Sequence, residues 1–394
     1  MKIVQINSVC ESGSTGKICV SISKLLSEKG IENYILYTTN KSDYSLGFKY
    51  MNLFEVKFQA IKSRILGNYG FNSKRATKRL LGKLDEISPD IVHLHNLHSH
   101  NVHLGDLFEY LKKKKIKIFW TFHDCWAFTA YCSHYEMIDC NQWNCGGCKN
   151  CPEKKKKSWF FDRSRYLFEK KKQLFEGLDL TIITPSKWLA NQVTNSFLRK
   201  YKVIVINNGI DLSVFYPRES DFRHKYQIND KFIVLGVAFD WGTKKGIDVF
   251  IELSKRLDDS YQIVLVGTNK KIDKQIPKNV LTIHRTQNQN QLAEIYTAAD
   301  VFVNPTKEDT FPTTHIEALA CGTPVIAFDV GGCFEMLNEN CGEVVEKNNV
   351  DAIENRIISL KYSKVYPAEN CVLRASEFCA NEKYEEYVAL YTKG

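Results

Sequence analysis

The stretch "DVFVNPTKEDTFPTTHIEALACGTPVIAF", residues 300–328, carries the fold in miniature. An apolar run ends at Asn304, an acidic loop follows, a helical pattern opens after Pro312, and a second apolar run starts at Val325. Two near-continuous apolar strands joined by a helix read as one unit of a parallel sheet covered on both faces.

The same alternation runs along the whole chain. "IVQINSV", "NYILYT", "DIVHLHN" and "KIFWTFHD" come first, separated by amphipathic stretches. "LTIITPS", "KVIVINNG", "FIVLGVAF", "YQIVLVGT" and "VLTIHR" follow, then "DVFVNP" and "TPVIAF". Eleven such runs exceed one doubly wound sheet for a chain of 394 residues. The pattern predicts an α/β protein of two Rossmann-like domains. Pro217 ends "NNGIDLSVFYP" and the charged "RESDFRHKYQINDK" follows, which marks the joint. The expected first domain covers 1–185 and the second 186–370, with 186–217 as the interdomain segment. The last helical stretch, 371–394, is expected to cross back to the first domain. Ligands of such sheets bind at the carboxyl ends of the strands, so two facing domains would share one interdomain cleft.

A hydrophobic content of 44% with 25% charged residues describes a soluble globular protein. The start runs straight into a strand with no signal-peptide pattern, and no run approaches the ~18 apolar residues of a membrane span, so a cytoplasmic location is expected. The net charge of +9 is concentrated in lysine runs at 112–115, 154–157 and 170–172. Those runs read as solvated faces, as contacts to an anionic membrane surface, or as contacts to an anionic substrate. No module for nucleic acid is present in the sequence, and no nucleic-acid partner is expected.

"ESGSTGKIC", residues 11–19, sits between a strand and a helical pattern like a triphosphate loop. The glycine spacing is too short, and Ile18 stands where a magnesium-binding hydroxyl belongs. A tight strand-to-helix turn remains, whose amides at Gly13–Gly16 can meet a phosphate. Lys17 reads as a solvated helix residue. In the second half, Lys244 and Lys245 stand at the start of a helical pattern, adding full charge to its donor amides in a way that suits a diphosphate. Asp309 and Glu317 lie eight apart, with Phe311 and Pro312 between them. Each carboxylate can accept from two vicinal hydroxyls, which suits the ribose and the pyranose of a nucleotide-sugar. The bland reading is a capping acid and a surface glutamate. The small residues Ala318, Ala320 and Gly322 permit close approach of backbone to ligand.

Taken in order, these features resemble the family 4 retaining glycosyltransferases, whose GT-B fold has two facing Rossmann-like domains. The matching motifs are the glycine loop at 13–16, "TFHD" at 121–124, "TPSKWLANQ" at 184–192, "NNGIDLSVF" at 207–215, "KKGID" at 244–248 and the acidic motif with "EALACGTPVIAF". They cover nearly the whole chain. "TFHDCWAFT" and the cysteines after it resemble the subgroup that builds colanic acid and related exopolysaccharides. Two departures stand out. Asp309 occupies the place of the family's first glutamate, with Glu308 beside it, so either acid can do that work. The family's usual arginine after the first strand of the second domain is missing, and Lys244 can supply the second charge beside Lys245.

The resemblance implies transfer of a sugar from a UDP- or GDP-sugar with retention, and no metal need be invoked for catalysis. Lys244, Lys245 and the Gly13–Gly16 loop would stabilise the departing diphosphate, like the two halves of a clamp. Glu317 would hold the ribose, and Asp309 or Glu308 the transferred sugar. His123 matches the family histidine near the donor sugar, and Asp124 follows it. The acceptor implied is a saccharide, undecaprenyl-diphosphate-linked in the subgroup. "HLHNLHSHNVH", residues 93–103, holds five histidines. Its His95 and Asn96 are expected to line the acceptor side, a metal site being the other reading.

Six of the 13 cysteines fall between 125 and 151. Overlapping CxxC spacing at Cys145, Cys148 and Cys151 suggests zinc before disulfides in a cytosolic protein. Free thiols and oxidised pairs are the other readings. The subgroup pattern points to Cys132, Cys140, Cys148 and Cys151 as a four-thiolate site, with Cys145 or His134 able to substitute. The insert, about 125–157, would border the acceptor end of the cleft, and "EKKKK" after it could face lipid head groups at the inner surface of the cytoplasmic membrane. Two further readings compete with the transferase. One is a sugar-nucleotide epimerase of the same fold, and the other is a zinc-dependent binding module.

Overall fold

In a computed structural model the described residues are 1–98, 100–363 and 365–392. They form two compact units, Met1–Asn207 with the stretch from Lys383 onward, and Asn208–Glu382.

The first unit is built on β1 (Lys2–Ile6), β2 (Glu32–Tyr37), β3 (Gly47–Lys49), β4 (Ile91–Leu94), β5 (Lys117–Thr121), β6 (Leu180–Thr184) and β7 (Lys202–Val205). They pair in the order β3-β2-β1-β4-β5-β6-β7, all parallel. The second unit holds β8 (Phe232–Val237), β9 (Tyr261–Val266), β10 (Leu281–Ile283), β11 (Val301–Asn304), β12 (Val325–Phe328) and β13 (Gly342–Val345). Its order, β10-β9-β8-β11-β12-β13, is again parallel throughout. Both are doubly wound sheets in which the chain winds outward in opposite directions from a central pair, β1/β4 or β8/β11. In the second unit, Leu235, Val264 and Phe302 pack into one core and Val234, Ile263 and Val303 into another, so alternate strand residues fill opposite faces. That two-sided burial is why the strands read as continuous apolar runs.

β3 and β13 escape the sequence pattern because they are three- and four-residue edge strands with part-exposed residues. The expected end of the first domain at 185 also moves. β7 pairs in parallel with β6, and Ile206 donates to the Thr184 carbonyl, so the first unit runs to Asn207. The Ala380–Thr392 helix joins that unit from its far end in sequence. Its buried Tyr384, Tyr387 and Tyr391 share one face. Tyr391 hydroxyl meets His93 Nδ1 at 2.6 Å, and Thr121 Oγ1 donates to the Tyr387 hydroxyl at 3.4 Å.

Candidate active site

At the carboxyl ends of β1 and β4 the site is a chain of neutral hydrogen bonds. Gln5 Nε2 donates to the Cys19 carbonyl, which leaves Gln5 Oε1 as an acceptor for His95 Nε2–H at 3.1 Å. Burial pushes His95 well below the ordinary histidine pKa, with His93 and His123 adding to the effect. The ring is therefore neutral, and its bare Nδ1 accepts from His123 Nε2–H at 3.2 Å. His123, pushed down to about 4 by burial, then keeps Nδ1 as its acceptor atom. His95 is 2% exposed and lies against His123, orienting that ring, and it lines the same small cavity as His123 and Asp124. Asn96 remains part-exposed, and its N–H donates to Asn7 Oδ1 across the switch point at 3.2 Å.

Beside this chain His98 meets a carboxylate. His98 Nε2 and Asp124 Oδ2 are 2.7 Å apart, and Asp124 Oδ1 accepts from the Trp126 N–H at 2.9 Å. Burial would raise the Asp124 carboxyl, but the charge and hydrogen bond of His98 override it and hold the acid well below the usual carboxylate range. The turn after Asp124 is fixed from below by Lys171. Its Nζ donates to the Trp126 and Thr129 carbonyls at 2.8 and 2.9 Å and lies 3.5 Å over the Trp126 ring. The 170–172 run is therefore not wholly a solvated or partner-facing face, since Lys171 is fully buried. Neither His98 nor Lys171 carried a distinguishing sequence signal. A cavity of about 10 Å³ lined by His98, His123, Asp124 and Trp126 has room for about one water.

The glycine turn has two separate roles. Gly13 opens the Gly13–Glu28 helix at φ +64°, a conformation that favours glycine, and is exposed. Gly16 is buried, and a side chain there would press on Glu11 N at 3.1 Å and Cys10 C at 3.2 Å. Gly16 thus packs the helix onto its turn and offers no surface to a ligand. Lys17 is exposed, as its reading required.

The carboxyl ends of β8 and β11 are charged. Lys244 and Lys245 lie in a short 3₁₀ turn before the Ile247–Arg256 helix. Lys244 Nζ pairs with Glu308 Oε1 at 3.2 Å, and Lys245 Nζ with Asp309 Oδ2 at 2.7 Å. Both acids come from the loop after β11, so the two pairs cross the switch point. Backbone bonds reinforce the crossing, with Lys307 N donating to the Lys244 carbonyl at 2.8 Å. Gly246, at φ +72°, lies so close that a Cβ would stand 2.3 Å from the Pro305 carbonyl oxygen. Glu317 follows on the Thr313–Ala320 helix and accepts from the buried Tyr296 hydroxyl at 3.1 Å. Burial keeps that phenol neutral, so it can only orient the carboxylate as a donor. Sequence spacing held no sign of Tyr296. Phe311 differs from expectation: it is 4% exposed, packs at a tilt near Phe378, and contributes its backbone N–H to Asp309 Oδ1. Its ring belongs to the core because the loop must turn inward there to start the next helix.

In the cysteine lobe, Cys132 donates a hydrogen bond to Cys151, which raises the first thiol and lowers the second. Cys148 is buried, pushed up to about 12 by that burial, and interacts with both Cys151 and Cys140. Cys145 is exposed. Among the described residues no three His, Cys, Asp or Glu side chains are gathered into a metal-holding set, at the cysteines or at the histidine run.

Two doubly wound parallel sheets, each with polar groups at its switch point, define an α/β protein of the GT-B kind. Residues 16–214 match the family model of Glycosyltransferase Family 4, and residues 218–372 that of Glycosyl transferases group 1. The chain belongs to glycosyltransferase family 4, and it is a glycosyltransferase. It is 23% identical over 374 residues to the Escherichia coli K12 protein named "Putative colanic acid biosynthesis glycosyl transferase WcaC", covering 89% of this chain and 88% of that one. A Campylobacter jejuni N,N'-diacetylbacillosaminyl-diphospho-undecaprenol alpha-1,3-N-acetylgalactosaminyltransferase is 27% identical over 219 residues, 52% of this chain and 58% of that protein. Among solved structures, Anabaena HepE with UDP and glucose superposes with a TM-score of 0.71 at 15% identity, each chain covered in full. That last likeness is one of fold. The expected fold class and family are borne out, and the transferase reading prevails over the epimerase and the binding module.

Proposed function

We propose that the protein is a retaining glycosyltransferase that moves a sugar from a UDP- or GDP-sugar to an undecaprenyl-diphosphate-linked saccharide. On this reading it acts in the cytoplasm, in assembly of a bacterial exopolysaccharide or capsule. The observation that carries the proposal is the pairing of Lys244 with Glu308 and Lys245 with Asp309, next to an oriented Glu317. The names of the WcaC and Campylobacter relatives supply the pathway and the lipid carrier. HepE, bound to UDP and glucose, supports a uridine donor.

In this mechanism the paired charges hold one another in place until the substrate replaces both halves. The diphosphate takes the two ammonium groups, while sugar hydroxyls take the carboxylates of Asp309 and Glu308. Glu317, held by Tyr296, receives the ribose hydroxyls. The anomeric C–O bond to the diphosphate breaks as the acceptor oxygen bonds the same face of the sugar. The acceptor's proton passes to a diphosphate oxygen, and Lys244 and Lys245 stabilise the charge of the leaving group. His123, neutral with Nδ1 as acceptor, orients a sugar hydroxyl on its side, and Asp124 keeps His98 in place.

A thermal-shift screen of UDP-, GDP- and ADP-sugars tests the donor. Stabilisation by a UDP- or GDP-sugar is expected, and the donor site is wrong if none of them raises Tm. Lys245→Ala and Glu317→Ala should each lower transfer by about a hundredfold or more in a folded protein; near-normal rates in both would sink the site. In the same reading Cys132, Cys140, Cys148 and Cys151 hold a structural zinc. What supports this part of the reading is the cysteine spacing; as the lobe stands, burial holds the Cys148 thiol protonated, its hydrogen bond to Cys151 does the same for Cys132, and the described side chains are not gathered into a metal-holding set. Bound zinc would brace the lobe after "TFHD". Metal analysis of protein purified without chelator should find about one zinc per chain.

A further inference from the structure

The Leu53–Leu66 helix is turned the wrong way for a soluble surface. Phe54, Phe58, Ile61 and Ile65, spaced by four, three and four, form a single stripe. A soluble helix would bury such a stripe. Here these residues are 79%, 56%, 48% and 40% exposed, and the helix buries only Val56 and Ser63. The helix itself is firmly set. Asn52 and Glu55 close a capping box, Gly67 ends the helix in the left-handed conformation, and Arg79 grips Glu55 at 2.8 Å.

The stripe continues into a second exposed group. Trp159, Phe160 and Phe161 are 53%, 64% and 50% exposed. Trp159 N donates to the Arg64 carbonyl at 2.8 Å, and a Cβ at Gly67 would meet Phe161 O at 3.1 Å. The two groups therefore form one apolar surface. Its rim is basic, with Lys57 and Lys62 exposed on the helix and Lys155 and Arg163 exposed beside the aromatic turn. The acids close by are engaged: Glu153 pairs with Lys156, and Asp162 accepts from Cys151 N and Ser164 N.

We propose that this surface docks the protein on an anionic lipid bilayer. Aromatic and aliphatic side chains would enter the interface while the lysines and Arg163 meet the head groups, the combination by which interfacial helices bind. A second copy of the chain is a poorer occupant, because two identical basic rims would repel. No helix among the described residues is long and apolar enough to cross a membrane, so the contact is from one side. The surface also leads to the site. The chain passes from Gly67 to Tyr69, whose hydroxyl lies 3.4 Å from His98 Nδ1 and 3.4 Å from Lys157 Nζ. Docking rests on the surface alone; its delivery of a lipid-linked acceptor to His98 and Asp124 rests on the function proposed above.

The test is co-sedimentation of the full chain with phosphatidylcholine vesicles and with vesicles containing roughly a third phosphatidylglycerol. Binding should be about tenfold stronger to the anionic vesicles, and Phe54→Ser/Phe58→Ser should weaken it about tenfold. Lys57→Glu/Lys62→Glu should remove the preference for phosphatidylglycerol. Both variants should keep the wild-type Tm and the Tm rise given by the donor sugar. The proposal is overturned if wild-type protein stays in the supernatant with both vesicles, or if the phenylalanine variant sediments like wild type. It is equally overturned if gel filtration shows a dimer that this variant dissolves while vesicle binding is absent. Vesicle binding without any stabilisation by a sugar nucleotide would leave docking intact and remove the donor reading.

Discussion

The carboxyl ends of the two sheets occupy the same topological position and are built from opposite chemistry. At β1/β4 the groups are histidines and amides, mostly buried and neutral, linked through Gln5, His95 and His123 with the His98–Asp124 hydrogen bond alongside. At β8/β11 two lysines face two carboxylates, all of them reachable from solvent to some degree. Burial explains the division. A charge can be kept at the second end because each has an opposite partner, whereas the first end lies over packed rings where an unpaired charge would be too costly. On the proposed reading, neutral donors and acceptors there would orient hydroxyls, and the paired lysines at the other end would exchange their carboxylates for a diphosphate.

The contrast is broken or sharpened most strongly by removing one member of each set. Lys245→Ala should lower kcat by about 10²–10³ through loss of leaving-group stabilisation, and Asp124→Asn, which loosens only the positioning of His98, by about tenfold. Steady-state kinetics with the identified donor would show it; the reverse order would mean that the first end carries the charge chemistry. The glycines come next. Gly246→Ala should cost about 3 kcal/mol or more, because its Cβ meets the Pro305 carbonyl oxygen at 2.3 Å on a backbone at φ +72°. Gly13→Ala has open space and only its φ of +64° to bear, about 1 kcal/mol. Urea unfolding of the two variants would reveal equal losses if the close crossing in the second unit were unimportant.

The smallest effect is on pH dependence. Burial lowers His93 to about 3, and His123 and His315 to about 4. Below the ordinary histidine value the unfolded chain binds protons that the folded chain refuses. Stability should therefore fall as pH drops from about 6.5 toward 4, by up to ~1.4 kcal/mol per pH unit for each such group. Asp124 acts further down. Its lowered carboxyl contributes stability that is complete above about pH 4 and lost as pH falls toward the folded value. Denaturant titrations at several pH values should show the first unit contributing more of this slope. His93→Gln and His315→Gln should each flatten the slope between about pH 6.5 and 4, and a slope unchanged by either would mean that the ring concerned is not held neutral by burial.

Much of the second end was legible in the sequence. Lys244, Lys245, Glu308, Asp309 and Glu317 are charged residues beside apolar strand and helix patterns, and that mismatch shows in one dimension. The first end was harder to read. His95 looked like a surface ligand because a histidine run has no period that separates buried from exposed members, and only the layer formed by Gln5, His93 and His123 buries it. Lys171 looked solvated among its neighbours for the same reason. Phe311 looked like part of a binding motif, yet its ring turns into the core. The apolar stripe of the Leu53–Leu66 helix read as an ordinary amphipathic stretch, since a period of 3.6 tells which residues share a face and not which way that face points.

By itself the sequence determined the alternation of strands and helices, and with it two parallel sheets, because residues buried on both faces must be apolar at nearly every position. It also determined which ends of those sheets bear charge. Tertiary structure alone decided the partners. Lys245 meets Asp309 and Tyr296 meets Glu317 because β11 lies beside β8 and two helices converge on one loop. Tyr391 reaches His93 because the last helix returns to the first unit, a contact across almost three hundred residues that no local pattern encodes.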